Sequence, residues 1–238
     1  MTATRFKHFI SSSPLGEALS EEELGALDSL SISATLYDPH TIITRQGDTD
    51  HRIFIIHSGW GCVHRDLPNG ERQIIDTPLP SDIIGLQAGD GSRGNSLSSI
   101  TALSVFEIPH HTLGRALSYK PALGRILSRA VARQNAIVVE HLVNIGRRSA
   151  LERTAHLLLE LADRLAEFGS ATPDRYECPL TQDELADALG LTKIHVNRTL
   201  RELRERELLV FRNGFVELLN RKKLIGMCGF DSQYVRQF

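Results

Sequence analysis

Cysteine is scarce in this 238-residue chain: there are three, Cys62, Cys178 and Cys228, far apart and odd in number. That argues against a disulfide framework and against a cysteine-rich metal site. Long apolar runs are missing too, since nothing approaches the roughly 18 residues that cross a bilayer. The first residues carry Arg5 and Lys7 but no apolar stretch of signal-peptide length. A cytoplasmic protein is therefore expected, with no membrane partner. No nucleophile–base spacing and no phosphate loop with a lysine is present, which makes an enzyme the weakest reading. Charge of one sign is lacking as well, with 27 Lys/Arg against 29 Asp/Glu.

What is present is a globular composition, 41% hydrophobic and 24% charged, long enough for two ordinary domains. Charge is unevenly placed. Residues 1–146 balance at −3 and residues 147–238 at +1, while 193–223 holds nine basic and four acidic side chains. That local excess suits phosphate neutralisation, although a solvated, ion-paired helix fits the charge equally well.

Ser20-Glu21-Glu22-Glu23 reads as a capping box opening a short helix through about Leu30. From Ala34 to Ile108, short β-branched runs (41–43, 52–56, 73–75, 83–84, 103–108) alternate with turn signals. Asn69-Gly70 is expected to form a two-residue hairpin turn with both residues at positive φ. Strands at this spacing imply a β-barrel or roll. After His110 the period becomes helical, with Pro121 as a helix start. Leu123, Ile126/Leu127, Ala130/Val131, Gln134, Ile137/Val138, His141/Leu142 and Ile145 recur every three to four residues. A helix this long, over about 121–146, has more apolar face than a roll covers. Pairing with a second copy is expected, with intramolecular packing as the alternative. A second helix runs from Ser149 to Phe168, and 170–179 reads as a polar connector.

Residues 178–219 carry the chemistry. Thr181-Gln182-Asp183-Glu184 is another capping box, followed by Leu185, Ala186 and Leu189 on one face. Gly190 supplies a sharp turn, Leu191 plugs the space between helices, and Thr192 can cap a second helix through about Arg206. Helix, glycine turn, helix is the topology of a major-groove reader. Val196, Leu200 and Leu203 are expected to face inward, leaving Lys193, Ile194, Asn197, Arg198 and Arg201 in front. Arg and Lys donate to guanine edges, Asn pairs with adenine, and an apolar side chain suits a thymine methyl. Asn213-Gly214, between two apolar runs, predicts a hairpin wing that sets Arg212 beside the DNA backbone. The predicted contacts are therefore Lys193, Ile194, Asn197 and Arg198 on bases, with Thr181, Gln182, Thr192, Arg201 and Arg212 on phosphates. His195 could touch phosphate or pack at the helix start, and the second is favoured.

The run 180–192, then Val196-Asn-Arg-Thr-Leu200, resembles the winged helix-turn-helix of Crp/Fnr transcription regulators. Upstream, Leu19 to Leu24, Arg45-Gln-Gly-Asp48, 53–60, 67–74 and Leu79-Pro-Ser-Asp-Ile-Ile-Gly85 are similar to their effector domain. The resemblance implies an α+β chain: a cyclic-nucleotide-binding-like β-roll with its dimer helix over 1–146 and a winged helix-turn-helix over 147–238. It also implies homodimeric promoter binding and RNA polymerase as a partner.

Departures bear on the effector. Members that bind cyclic AMP place Gly-Glu and Arg-Ser pairs around its phosphate and ribose. Here Leu86 follows Gly85, Arg93-Gly94 falls near the second pair, and the family's two helix hydroxyls fall near Val138 and Val139. Gly85, Leu86, Arg93 and Val138 are thus the effector-pocket candidates, Arg93 being expected to be solvated. Cyclic AMP is disfavoured, and with no cysteine before Cys62 so is an iron–sulfur cluster. The His110-His111 doublet is expected to point opposite ways in a strand. No cofactor or metal is assigned. Ile194 also replaces a family Glu that accepts from cytosine, which predicts a different half-site. The rival reading is a small-molecule sensor that acts by protein contact without DNA.

Overall fold

The computed structural model describes residues 6–16, 19–27, 32–49, 51–86, 91–110, 121–167, 169, 172 and 174–236. They divide into two compact units, one of residues 6–65 and 77–134 and the other of 66–76 and 135–236.

The first unit opens on α1 (Phe6–Ser11) and α2 (Glu21–Leu27). The capping box forms: the Glu23 carboxylate accepts from the Ser20 N–H at 2.8 Å, and Ser20 Oγ accepts from the Glu23 N–H at 3.3 Å. The remainder of the helix expected through Leu30 lies outside the described residues. Among the described residues its strands are β1 (Ala34–Tyr37), β2 (Ile42–Thr44), β3 (Arg52–Ser58), β4 (Gly61–Asp66), β6 (Ile83–Ile84), β7 (Ser96–Ser99) and β8 (Leu103–Pro109), while β5 (Arg72–Asp76) belongs to the second unit. Within the first unit one antiparallel sheet has the order β1-β8-β3-β6 and the other β2-β7-β4.

In the first sheet Ile53 sits opposite Ile108, and Ile55 opposite Phe106. These four pack with Phe6, Ile10, Leu15, Leu24, Ile83, Ile126 and Ala130. Phe54 and Ile56 are buried on the other face, which is why β3 reads as an unbroken apolar run instead of alternating. β7 is buried throughout despite three serines. The backbone engages two of the three hydroxyls: Ser96 Oγ accepts from the Gln46 N–H at 3.0 Å, and Ser99 Oγ donates to the Asp38 carbonyl at 2.6 Å. His110 lies beyond the end of β8, not in a strand, and His111 is outside the described residues.

The long helix, α3, runs over Pro121–Arg147. Its apolar positions fall into two sets. Ile126, Ala130 and Ile137 are buried, while Val131, Val138, Val139, Leu142, Val143 and Ile145 are exposed. Arg133 on the buried side donates to Asp82 Oδ1 at 2.5 Å, and both side chains are buried.

The second unit holds α4 (Ala150–Ala166), β9 (Arg175–Glu177), α5 (Gln182–Leu189), α6 (Lys193–Glu205), β10 (Leu209–Arg212), β11 (Phe215–Leu218) and α7 (Arg221–Cys228). β9 corrects the reading of 170–179 as connector alone. It pairs with β11, Tyr176 opposite Val216, to complete a sheet in the order β10-β11-β9. Buried Tyr176 donates to the Leu158 carbonyl at 2.7 Å.

The turn before β5 also differs from expectation. Gly70 N–H donates to the Leu67 carbonyl at 3.0 Å, which makes Pro68 and Asn69 the central residues, and Asn69 is absent from the positive-φ residues. Pro68 presets the first position of a turn whose first two φ angles are negative, and Gly70 follows as a bulge. Within the same unit, Arg72 Nη2 lies 2.8 Å from Asp187 Oδ2 on α5.

A charged cluster is buried in this unit. Glu160 faces His141 Nε2 at 3.0 Å, Arg164 Nη1 at 3.2 Å and the Tyr234 hydroxyl at 2.8 Å. His141 Nδ1 meets the Ile75 carbonyl at 2.9 Å, so both ring nitrogens face acceptors. Burial by itself lowers the His141 pKa, but Glu160 and then Asp76 override it and raise it to about 9. Burial likewise pushes Glu160 up, and His141 and Arg164 overcome it, holding the carboxyl at about 2. No helix among the described residues is long and apolar enough to cross a membrane.

Candidate nucleic-acid interface

Thr181 and Thr192 set the two ends of the motif. Thr181 Oγ accepts from the Glu184 N–H at 3.2 Å, and the Glu184 carboxylate accepts from the Thr181 N–H at 2.7 Å. This reciprocal pair fixes where α5 begins. The Thr181 hydroxyl proton points to the same carboxylate at 2.8 Å. The donors left for an anion at this end are then the backbone N–H groups of the first turn, those of Gln182 and Asp183, which lack partners inside a helix.

α5 stops at Gly190, whose φ of 61° is left-handed. A Cβ there would meet nothing closer than 3.7 Å, so backbone conformation, not space, demands glycine. Its N–H and that of Leu191 both close on the Ala186 carbonyl. The chain then restarts at Thr192, whose side chain accepts from the His195 N–H at 3.3 Å and caps α6.

α6 has a buried back of Val196, Thr199 and Leu203. Leu200, expected inward, is only half-buried, and Thr199 takes its place. In front, Lys193, Ile194, Asn197, Arg198 and Arg201 are all exposed, Ile194 at 82%. Two of the cations carry orienting partners that spacing did not reveal. Lys193 Nζ lies 2.7 Å from Asp183 Oδ2 on α5, and Arg198 Nη2 lies 2.6 Å from His195 Nε2 one turn back. The first pair ties the start of α6 to the start of α5. Thr181, Gln182, Thr192 and Lys193 therefore belong to one exposed end of the motif.

The wing forms as predicted. β10 and β11 pair with Arg212 opposite Phe215, and Asn213 and Gly214 turn between them with φ of 54° and 75°. Arg212 is exposed at the hairpin tip. The Arg175 guanidinium, brought by β9, stacks over Phe215 with 4.9 Å to the ring centre.

Of the effector candidates, Gly85, Leu86 and Arg93 lie in the first unit. Gly85 and Arg93 meet: a Cβ on Gly85 would stand 2.7 Å from the Arg52 carbonyl and 3.1 Å from Arg93 Nη1. Arg93, expected to be solvated, is instead buried. Its Nη2 donates to the Arg52 carbonyl at 2.5 Å, and its guanidinium lies 5.3 Å from the Phe54 ring centre. Leu86 packs against the core, and Val138 belongs to the second unit. Among the described residues, no group of three or more His, Cys, Asp or Glu side chains is arranged to hold a metal. Burial raises the Cys178 thiol to about 12 and pushes Cys228 up as well.

Comparison with known proteins agrees with this anatomy. Residues 152–227 match the Crp-like helix-turn-helix domain, and residues 35–120 match the cyclic nucleotide-binding domain. The nitrogen fixation regulation protein FixK of Bradyrhizobium diazoefficiens is 29% identical over 218 residues, covering 92% of this chain and 88% of that protein. The transcriptional activator protein FnrA of Stutzerimonas stutzeri is 26% identical, covering 89% of this chain and 85% of its own. The structure of FixK2 from Bradyrhizobium japonicum superposes with a TM-score of 0.75 at 26% identity, over 82% of this chain and 96% of that one.

Proposed function

Because the chain belongs to the Crp/Fnr family of DNA-binding transcription regulators, we propose that it acts in the cytoplasm as a homodimer whose two α6 helices enter successive major grooves, about 34 Å apart. Lys193, Ile194, Asn197 and Arg198 read base edges. Gln182, Thr192, Arg201 and Arg212 position the motif on phosphates, Gln182 through the first-turn N–H groups of α5, whose start Thr181 fixes as the cap. The observation that carries this reading is the two-sidedness of α6: Val196 and Leu203 are fully buried, while the cationic front around Ile194 is open.

The exposed apolar residues of α3 (Val131, Val138, Val139, Leu142, Val143 and Ile145) support pairing through this helix, and Val131, Val138, Leu142 and Ile145 among them form one stripe. Their spacings of seven, four and three are those of a two-helix seam. Family membership and relatives named as transcriptional activators support RNA polymerase as a further partner.

The N-terminal domain serves regulation by a ligand other than cyclic AMP, or a purely structural role. Leu86 cannot supply the carboxylate a ribose requires, and Arg93 already serves a backbone carbonyl and an aromatic ring. The three cysteines, dispersed over the sequence, offer no set of cluster ligands.

Selection of bound duplexes from a random DNA pool tests the proposal. It should enrich a two-fold symmetric site whose half-sites are one helical turn apart, about 10–10.5 base pairs. Recovery of no common sequence would overturn it.

A further inference from the structure

We propose that His195 is the positioning residue for Arg198; the inference rests on Arg198 reading a base. The pair is one helical turn apart on α6, and Arg198 Nη2 stands 2.6 Å from His195 Nε2. A guanidinium has no acceptor capacity, so the imidazole must accept and its proton must sit on Nδ1. The ring is half-buried whereas Arg198 is exposed, and the His195 backbone is pinned by the Thr192 cap. The better-ordered partner therefore holds the freer one.

The chemistry of this partner matters. An exposed arginine has several side-chain torsions to order when it engages DNA, and that ordering opposes binding. A partner that presets the side chain lowers the opposition. A carboxylate in the same place would also set the direction, but it would cancel the charge and repel phosphates. Lys193 shows that arrangement with Asp183. The neutral imidazole directs the guanidinium without neutralising it. One N–H goes to His195, and the remaining donors can still present a two-pronged edge to guanine O6 and N7.

The test uses the full chain, the duplex recovered from the random pool, and that duplex with every base pair varied singly, all at one salt concentration. The variants are His195→Ala, His195→Gln, Arg198→Ala and the double variant His195→Ala/Arg198→Ala, each checked for an unchanged melting transition. His195→Ala should reduce discrimination at the Arg198 base pair by about 3- to 10-fold while leaving affinity for random DNA within about 2-fold. His195→Gln carries an acceptor at a reach similar to Nε2 and should retain the discrimination. In the Arg198→Ala background, removing His195 should add nothing at that position.

A uniform loss over all base pairs, additive with Arg198→Ala, would mean that His195 contacts phosphate on its own account and would overturn the proposal. Glutamine behaving like alanine overturns it too. If Arg198→Ala itself leaves every base preference intact, the assignment of Arg198 to a base fails, and the inference goes with it.

Discussion

Asp183 Oδ2 lies 2.7 Å from Lys193 Nζ, so the first turns of the two helices of the DNA-reading motif are joined by an ion pair across the glycine turn. Both side chains are more than half exposed, and a pair so placed adds about 0–1 kcal/mol to stability. Its consequence is for binding. Asp183 sets a negative charge where phosphate is expected and competes for the Lys193 ammonium. Asp183→Asn should leave the melting temperature nearly unchanged, tighten binding to random duplex by about 3- to 10-fold, and steepen the salt dependence by about one ion. A salt titration checks this. Unchanged affinity would remove Lys193 and the start of α5 from the contact surface.

Ile194 offers an apolar surface where a glutamate would accept from cytosine. Ile194→Glu should move one position of each half-site toward cytosine in a random-pool selection, with discrimination there of about 1–3 kcal/mol. A pool identical to that of the unaltered chain would show that position 194 does not face a base.

Glu160 binds His141, Arg164 and Tyr234 in a buried site, so its loss is a matter of stability. Glu160→Gln leaves buried cations with less compensation and should cost about 3–5 kcal/mol in urea unfolding. The pH dependence is more specific. His141 is raised from 6.5 to about 9 on folding, so its contribution is complete below pH 6.5 and disappears as pH rises through 9. Glu160 is lowered from 4.5 to about 2, so its contribution is complete above pH 4.5 and is lost as pH falls through 2. The variant should therefore show a flatter stability profile between pH 6.5 and 9 than the unaltered chain. The same slope in both would disconnect His141 from Glu160.

The helix-turn-helix was legible because its determinants are local. Thr181 with Glu184, Gly190 and Thr192 each act within four residues, and the turn at Asn213 needs only its own two residues. The misreadings involve distant partners. β7 buries Ser96 and Ser99 because backbone groups some 50 to 60 residues away occupy their hydroxyls. β9 is three residues long and exists by pairing with β11, some 40 residues on. Leu200 and Thr199 lie on adjoining strips of one helix, and only the packing around α6 decides which goes inside. Arg93 looked solvated in a Gly/Ser-rich stretch, but the carbonyl and ring that bury it come from β3. The pairings of His195 with Arg198 and of Asp183 with Lys193 were not legible, because helical spacing identifies a face but not which side chains on it hold one another.

The central claim is that the exposed face of α6 reads base pairs while the wing grips the backbone. The most direct measurement compares Arg198→Ala and Arg212→Ala on the selected duplex and its single base-pair variants across a range of salt. Arg198→Ala should cost about 1–3 kcal/mol and lose preference at one symmetric position only. Arg212→Ala should weaken binding to all sequences alike and reduce the salt slope by about one. If both variants bind every duplex as the unaltered chain does, the surface built on α6 and the wing is not the one that meets DNA.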